Sequence, residues 1–212
     1  MNRLDQTIAK LREAHAGTPF GASLEYVLAQ DYAARLTALQ SAVDFACNLL
    51  EQHKHKKQGA EKKGLSEDEI TLQICEILEM AGFQATHDAE IGGHCDIVVK
   101  GKSHFLWLAE AKKHDSYDWL SKGFYQLSTR YSTGMIGQDH GEVLVYCYIK
   151  DAKAMLLKWR EELQASNEDL KTADSSTGNA LVFHSTHKHA SSGLDFHVRH
   201  KAIALYWDPK DK

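Results

Sequence analysis

The sequence predicts an α/β fold in which a mixed central sheet is flanked by helices and preceded by a helical hairpin. Three observations carry that prediction. Up to about residue 53 the apolar residues recur only at the three-and-four spacing of helices. From residue 65 onward, helical patterns alternate with short apolar runs punctuated by glycine turns, as expected of helices packed on a sheet. Between the two lies "HKHKKQGAEKKG", a basic, polar stretch that reads as a linker. The expected division is therefore a helical region with its linker over 1–64 and an α/β domain over 65–212.

Each element has its own warrant. Residues 2–15 carry Leu4, Ile8 and Leu11 on one helical face, and "GTPFGAS" breaks the pattern. A second helical pattern runs from about Ser23 to about His53, with Leu24, Val27, Leu28, Leu36, Leu39, Val43, Ala46, Cys47 and Leu50 as its apolar positions. Ser66 is a good helix N-cap with Glu69 three residues on, a capping box; Ile70, Ile74, Ile77 and Leu78 follow as a stripe, and Gly82 ends it. Three strands are expected over "FQATHDAEI", "CDIVVK" and "HFLWLAEAK". Asp118–Ser132 reads as a helix, "EVLVYCYI" as a buried strand, and Asp151–Ala165 as an amphipathic helix. "NEDLKTADSSTGN" reads as a loop, and "ALVFHSTHKHA" with "LDFHVRHKAIALYW" as a terminal hairpin.

Composition narrows the function classes. The net charge of -4 over 212 residues excludes a global field that would draw the chain onto nucleic acid, so any such binding needs local basic patches. The four cysteines, Cys47, Cys75, Cys95 and Cys147, form no Cys-x-x-Cys pair, which argues against a zinc ribbon and for buried thiols in a reducing compartment. With neither a signal-peptide core at the N-terminus nor a long apolar run, a soluble, cytoplasmic protein is expected.

The chemistry concentrates in "CDIVVKGKSHFLWLAEAKK". Strand alternation puts Glu110 and Lys112 on one face with Leu106 and Leu108, and Phe105, Trp107 and Ala109 on the other. Charges ending a strand that is apolar on both faces carry a desolvation cost unless they are paired. An antiparallel hairpin around "GK" brings Asp96 beside Glu110, two carboxylates that repel unless a cation joins them. Mg²⁺ takes such a set, with water and phosphate oxygens completing its shell.

Asp96, a short hairpin, then Glu110-Ala111-Lys112 resembles the PD-(D/E)XK phosphodiesterase superfamily, the restriction-endonuclease-like nucleases. The order of elements from about Ser66 to Lys150 is similar to that family's core. The resemblance implies that Asp96 and Glu110 hold Mg²⁺, or Mn²⁺ in its place, and that Lys112 assists the attacking water. It implies an accessory acid on the first core helix, Glu69 or Glu76, and a glutamine on the helix after the third strand, Gln126. Members with that glutamine carry a tyrosine four residues later; here Arg130 holds that position and Tyr131 comes one later, and Cys95 stands where the family has proline. The family also implies DNA as the favoured substrate, endonuclease action and a homodimer.

Lys113, Lys122 and Arg130 follow the acids and are candidate phosphate contacts, with a solvated face as the alternative. Tyr125 and Tyr131 are candidates for base stacking or for core packing. The terminal hairpin carries His184, His187, His189, His197 and His200; a solvent-facing sheet surface near a nucleic-acid groove, with Lys188, Arg199 and Lys201, is expected over a zinc site. The expectation is a Mg²⁺-dependent nuclease, and one version of it is a regulated effector of a bacterial defence or repair system whose N-terminal helices dock a regulatory protein. The alternative is an inactive nuclease-fold module that binds nucleic acid or a partner.

Overall fold

The computed structural model describes residues 2–58 and 64–211. In chain order the elements are α1 (Arg3–His15), α2 (Pro19–Leu28), α3 (Tyr32–Gln52), α4 (Glu67–Met80), β1 (Gln84–Glu90), β2 (His94–Lys100), β3 (Leu106–Lys113), α5 (Tyr117–Tyr125), β4 (His140–Cys147), α6 (Ala152–Ala165), β5 (Lys171–Asp174), β6 (Val182–Lys188) and β7 (Asp195–Ala204). The described strands form one seven-stranded mixed sheet in the order β1-β2-β3-β4-β7-β6-β5. The β3–β4 and β4–β7 pairs are parallel and the others antiparallel.

Among the described residues six α-helices flank the sheet, which divides the core in two. On one face α3 and α4 pack Leu39, Val43, Ile70, Ile74 and Leu78 against Ile97, Trp107, Leu144 and Ile203. On the other, α5 and α6 pack Leu120, Phe124 and Trp159 against Val98, Leu108, Val143 and Val198. β3 is buried from Trp107 to Lys112, as its two apolar faces require.

The local signals around α4 hold as read: the Ser66 side chain accepts from the Glu69 N–H while Glu69 bonds back to Ser66. Three other expectations are corrected. The pattern read as one helix from Ser23 to His53 is two helices. Thr18 caps α2 with Pro19 at its first turn, Asp31 caps α3, and the Arg35 guanidinium donates to the freed Ala29 carbonyl at 3.2 Å and to Lys102 at 3.0 Å. The segment Asp118–Ser132 is α5 followed by a π-helical turn, Gln126–Tyr131. The loop "NEDLKTADSSTGN" contains β5, which pairs with β6.

The basic stretch after α3 is held rather than free where it is described. Lys54–Lys57 form a 3-10 turn, the Tyr148 hydroxyl donates to the Lys57 carbonyl at 3.0 Å, and Gln58 donates to the Leu205 carbonyl at 3.0 Å. The rest of the linker reading, residues 59–63, lies outside the described residues.

Nor do Arg199 and Lys201 lie on an open basic surface. Arg199 meets Glu142 at 2.7 Å and Asp44 at 3.0 Å, and Lys201 meets Asp44 at 3.1 Å. This network ties α3 to β4 and β7, because a buried cation is tolerated only with carboxylate partners. His200 is fully buried and bonded between Trp159 and Ser185. His187 lies on β6, which ends at Lys188, and the ring of His189 beyond it meets Ser132 rather than open solvent.

Candidate active site

The β2–β3 ladder runs from Lys100–Leu106 to Ile97–Ala109, one residue short of Asp96 and Glu110. Antiparallel pairing therefore delivers the start of β2 to the end of β3. Beyond the last ladder pair, the Ala111 N–H donates to Asp96 Oδ2 at 2.7 Å, so a carboxylate replaces the backbone acceptor and is aimed by it. Lys112 Nζ donates to Glu110 Oε1 at 2.6 Å and to the Ala111 carbonyl at 3.2 Å, and lies 3.8 Å from Asp96 Oδ2. Glu110 is 1% exposed and Lys112 5%.

α5 closes over this cluster. A Cβ on Gly123 would lie 2.7 Å from Lys112 Cγ and 3.3 Å from Glu110 Cγ, so the helix approaches this closely only because the residue is glycine. Gln126 follows on the π-helical turn. Its amide nitrogen donates to the Tyr131 hydroxyl at 3.1 Å. The displaced tyrosine is thus brought to the glutamine, because a π turn makes residues five apart neighbours along the helix.

The third acid near the cluster is Glu67, which the sequence did not single out. Its Oε2 accepts from the Lys113 N–H at 2.5 Å and from the Trp119 indole at 3.0 Å. Its charge acts on Asp96, Glu110 and Lys112 together. Of the two accessory acids expected, Glu69 is taken up by the capping box, both bonds to Ser66 being 2.8 Å, and Glu76 is exposed on α4. A signal was available: Glu67 occupies the first turn of the same capped helix.

The candidate phosphate contacts divide. Lys122 is exposed, with its ammonium 4.7 Å above the Trp119 ring. Lys113 alternates away from Lys112, its ammonium 5.1 Å from the Tyr148 ring centre. Arg130 is exposed beside the β1–β2 turn, where a Cβ on Gly93 would meet its Cδ at 3.1 Å. Tyr131 is 3% exposed and belongs to the core, while Tyr125 is exposed and bonds Asn167 at 3.1 Å.

The electrostatics are those of a buried anion pair with one internal cation. Burial pushes the Glu110 carboxyl up to about 7, with the Asp96 charge adding to the push and Lys112 opposing it. Burial also raises Asp96 against the pull of Lys112 and the Ala111 N–H. Lys112 loses solvation, yet Glu110 and Asp96 together raise its pKa. Among the described residues Glu110 Oε2 and Gln126 Oε1 are buried without a hydrogen-bond partner.

An orphaned carboxylate oxygen with a raised pKa is what a divalent cation relieves. Among the described residues no group of three or more His, Cys, Asp or Glu side chains is placed to hold a metal. A cation at Asp96 and Glu110 would therefore draw its other ligands from water and substrate, which suits the coordination habit of Mg²⁺. No protein-family model, curated protein or solved structure matches the chain.

Proposed function

We propose that the chain is a Mg²⁺-dependent nuclease with a restriction-endonuclease-like core, acting on DNA by preference. The observation that carries this reading is the convergence of Asp96, Glu110 and Lys112 at the end of a strand buried on both faces, with Glu110 Oε2 left without a partner among the described residues. A structural ion pair needs one acid for one lysine. Here a second carboxylate is held 3.8 Å from the same ammonium.

Asp96 and Glu110 would hold the metal, which when bound would polarise the phosphate and lower the pKa of water. Asp96 is oriented by the Ala111 N–H. Lys112 supplies a fixed positive charge beside the reacting phosphate, where charge develops in the transition state. Glu67 holds the strand end and the Trp119 edge in place. Gln126 keeps a buried carbonyl oxygen that has no hydrogen-bond partner among the described residues and could accept from a water.

Cleavage of a supercoiled plasmid and of a single-stranded circle tests the reading, with Mg²⁺, with Mn²⁺ and with EDTA, wild type beside Lys112→Ala. Metal-dependent nicking that disappears in the variant is the expected result. Equal nicking by both proteins would remove the site from this strand end.

A further inference from the structure

Trp119 is an aromatic ring beside this site. Its N–H edge is fixed by Glu67 Oε2 at 3.0 Å, and that same oxygen holds the Lys113 backbone N–H at 2.5 Å, so the acid cannot swing away with the ring. The Lys112 ammonium lies 5.2 Å from the ring centre and the Lys122 ammonium 4.7 Å. Trp119 is half-buried, whereas Trp107 and Trp159 are fully buried in the two cores. Lys122 is exposed and long, so the charge above the ring is a movable cover.

We propose that Trp119 is a stacking platform for a nucleobase next to the scissile phosphate, and that the substrate is a nucleic acid with an unpaired base at that position. The proposal rests on the nuclease reading above. Glu110 and Lys112 are 1% and 5% exposed and the Trp119 ring centre lies 5.2 Å from the Lys112 ammonium, so a phosphate brought to these groups would pass beside the indole. A single strand is slender enough to do so. Its neighbouring base then meets an indole already held at a fixed angle, and Lys122 is free to move onto the next phosphate. A base inside a duplex has both faces covered by its neighbours and cannot use the ring. Stacking on an aromatic side chain also tolerates any base, because every base has a π face.

A purely structural role, a strut between α4 and α5, is the rival explanation, and the test separates the two. The full chain is given Mg²⁺ and three DNA probes: a single-stranded oligonucleotide, the same strand carrying abasic residues, and the same sequence as a duplex. Wild type is expected to cut the intact single strand about tenfold faster, by kcat/KM, than the abasic strand, and faster than the duplex. Trp119→Ala is expected to cut the intact and abasic strands at one rate. Trp119→Phe, which keeps a ring and loses the Glu67 bond, is expected to keep most of the discrimination.

Wild type cutting intact and abasic strands equally, or Trp119→Ala retaining the preference, overturns the platform and leaves the nuclease reading standing. A parallel measurement does not need cleavage: polarisation of the two labelled single strands bound to Asp96→Asn, with and without Trp119→Ala. Equal affinities for intact and abasic strands overturn the platform there too. No cutting and no binding of any probe removes the nuclease reading and the platform with it.

Discussion

Gln126 donates its side-chain amide to the Tyr131 hydroxyl at 3.1 Å across one π-helical turn. In a regular α-helix two residues five apart stand about 140° apart around the axis and do not meet. The wider turn brings them onto one face, with Tyr131 in the core and close enough to Glu110 for that charge to raise its hydroxyl pKa after burial has done so. The two residues are expected to be coupled by about 1 kcal/mol. A double-mutant cycle of Gln126→Leu and Tyr131→Phe, read by urea denaturation, measures it, and additive single-variant effects would contradict the contact.

Gly123 is expected to tolerate no side chain. Alanine there would put its Cβ 2.7 Å from Lys112 Cγ, an atom near the root of a side chain whose tip is pinned to Glu110. Gly123→Ala should cost about 1–3 kcal/mol through overpacking. It should also lower kcat by more than tenfold, on the order of one hydrogen bond's misalignment at a reacting centre. Denaturation and single-turnover cleavage check the two effects separately.

Glu67 and Glu69 are expected to behave differently although they are two residues apart. Glu67→Ala orphans the Lys113 N–H and the Trp119 indole, for a loss of roughly 1–3 kcal/mol and a slower reaction. Glu69→Ala removes half of a capping box at the surface, so it should lower the melting temperature slightly and leave cleavage unchanged. Matched melting curves and cleavage rates for the two variants decide it.

Stability should fall with pH because of Glu110. Its folded-state pKa of about 7 exceeds the ordinary 4.5, so the folded chain holds the proton longer than the unfolded chain. The stabilisation is complete below about 4.5 and is lost as pH rises to about 7, by roughly 3 kcal/mol in metal-free buffer. Asp96, also raised by burial, acts in the same direction. Glu110→Gln should flatten the fall. Urea denaturation in EDTA from about pH 4.5 to 8 checks this, and an unchanged slope in the variant would assign the titration elsewhere.

Mg²⁺ binding should release a proton below pH 7, because the cation needs Glu110 ionised. Calorimetry at about pH 6 in two buffers of different ionisation heat is expected to give different apparent enthalpies for wild type and equal ones for Glu110→Gln.

The sequence alone determined what depends on neighbours along the chain. The capping box at Ser66 and Glu69 satisfies its own backbone groups, so α4 begins where the pattern says. β3 announced its burial on both faces, and the turn between β2 and β3 was short enough to fix their antiparallel pairing and bring Asp96 to Ala111. Only the tertiary structure decided what depends on approach from elsewhere. Arg199 and Lys201 are basic in any reading, and the packing of α3 across β7 made them partners of Asp44 and Glu142 rather than a surface. Glu67 looked like one more acid in a first helical turn until β3 and α5 brought an N–H and an indole to it. Gly123 carries no local signal, since its reason is a lysine on another element. Periodicity and caps are short-range and written in order. Which charge meets which is set by the crossing of elements far apart in the chain, and the cost of burying an unpaired charge then selects the arrangement that pairs them.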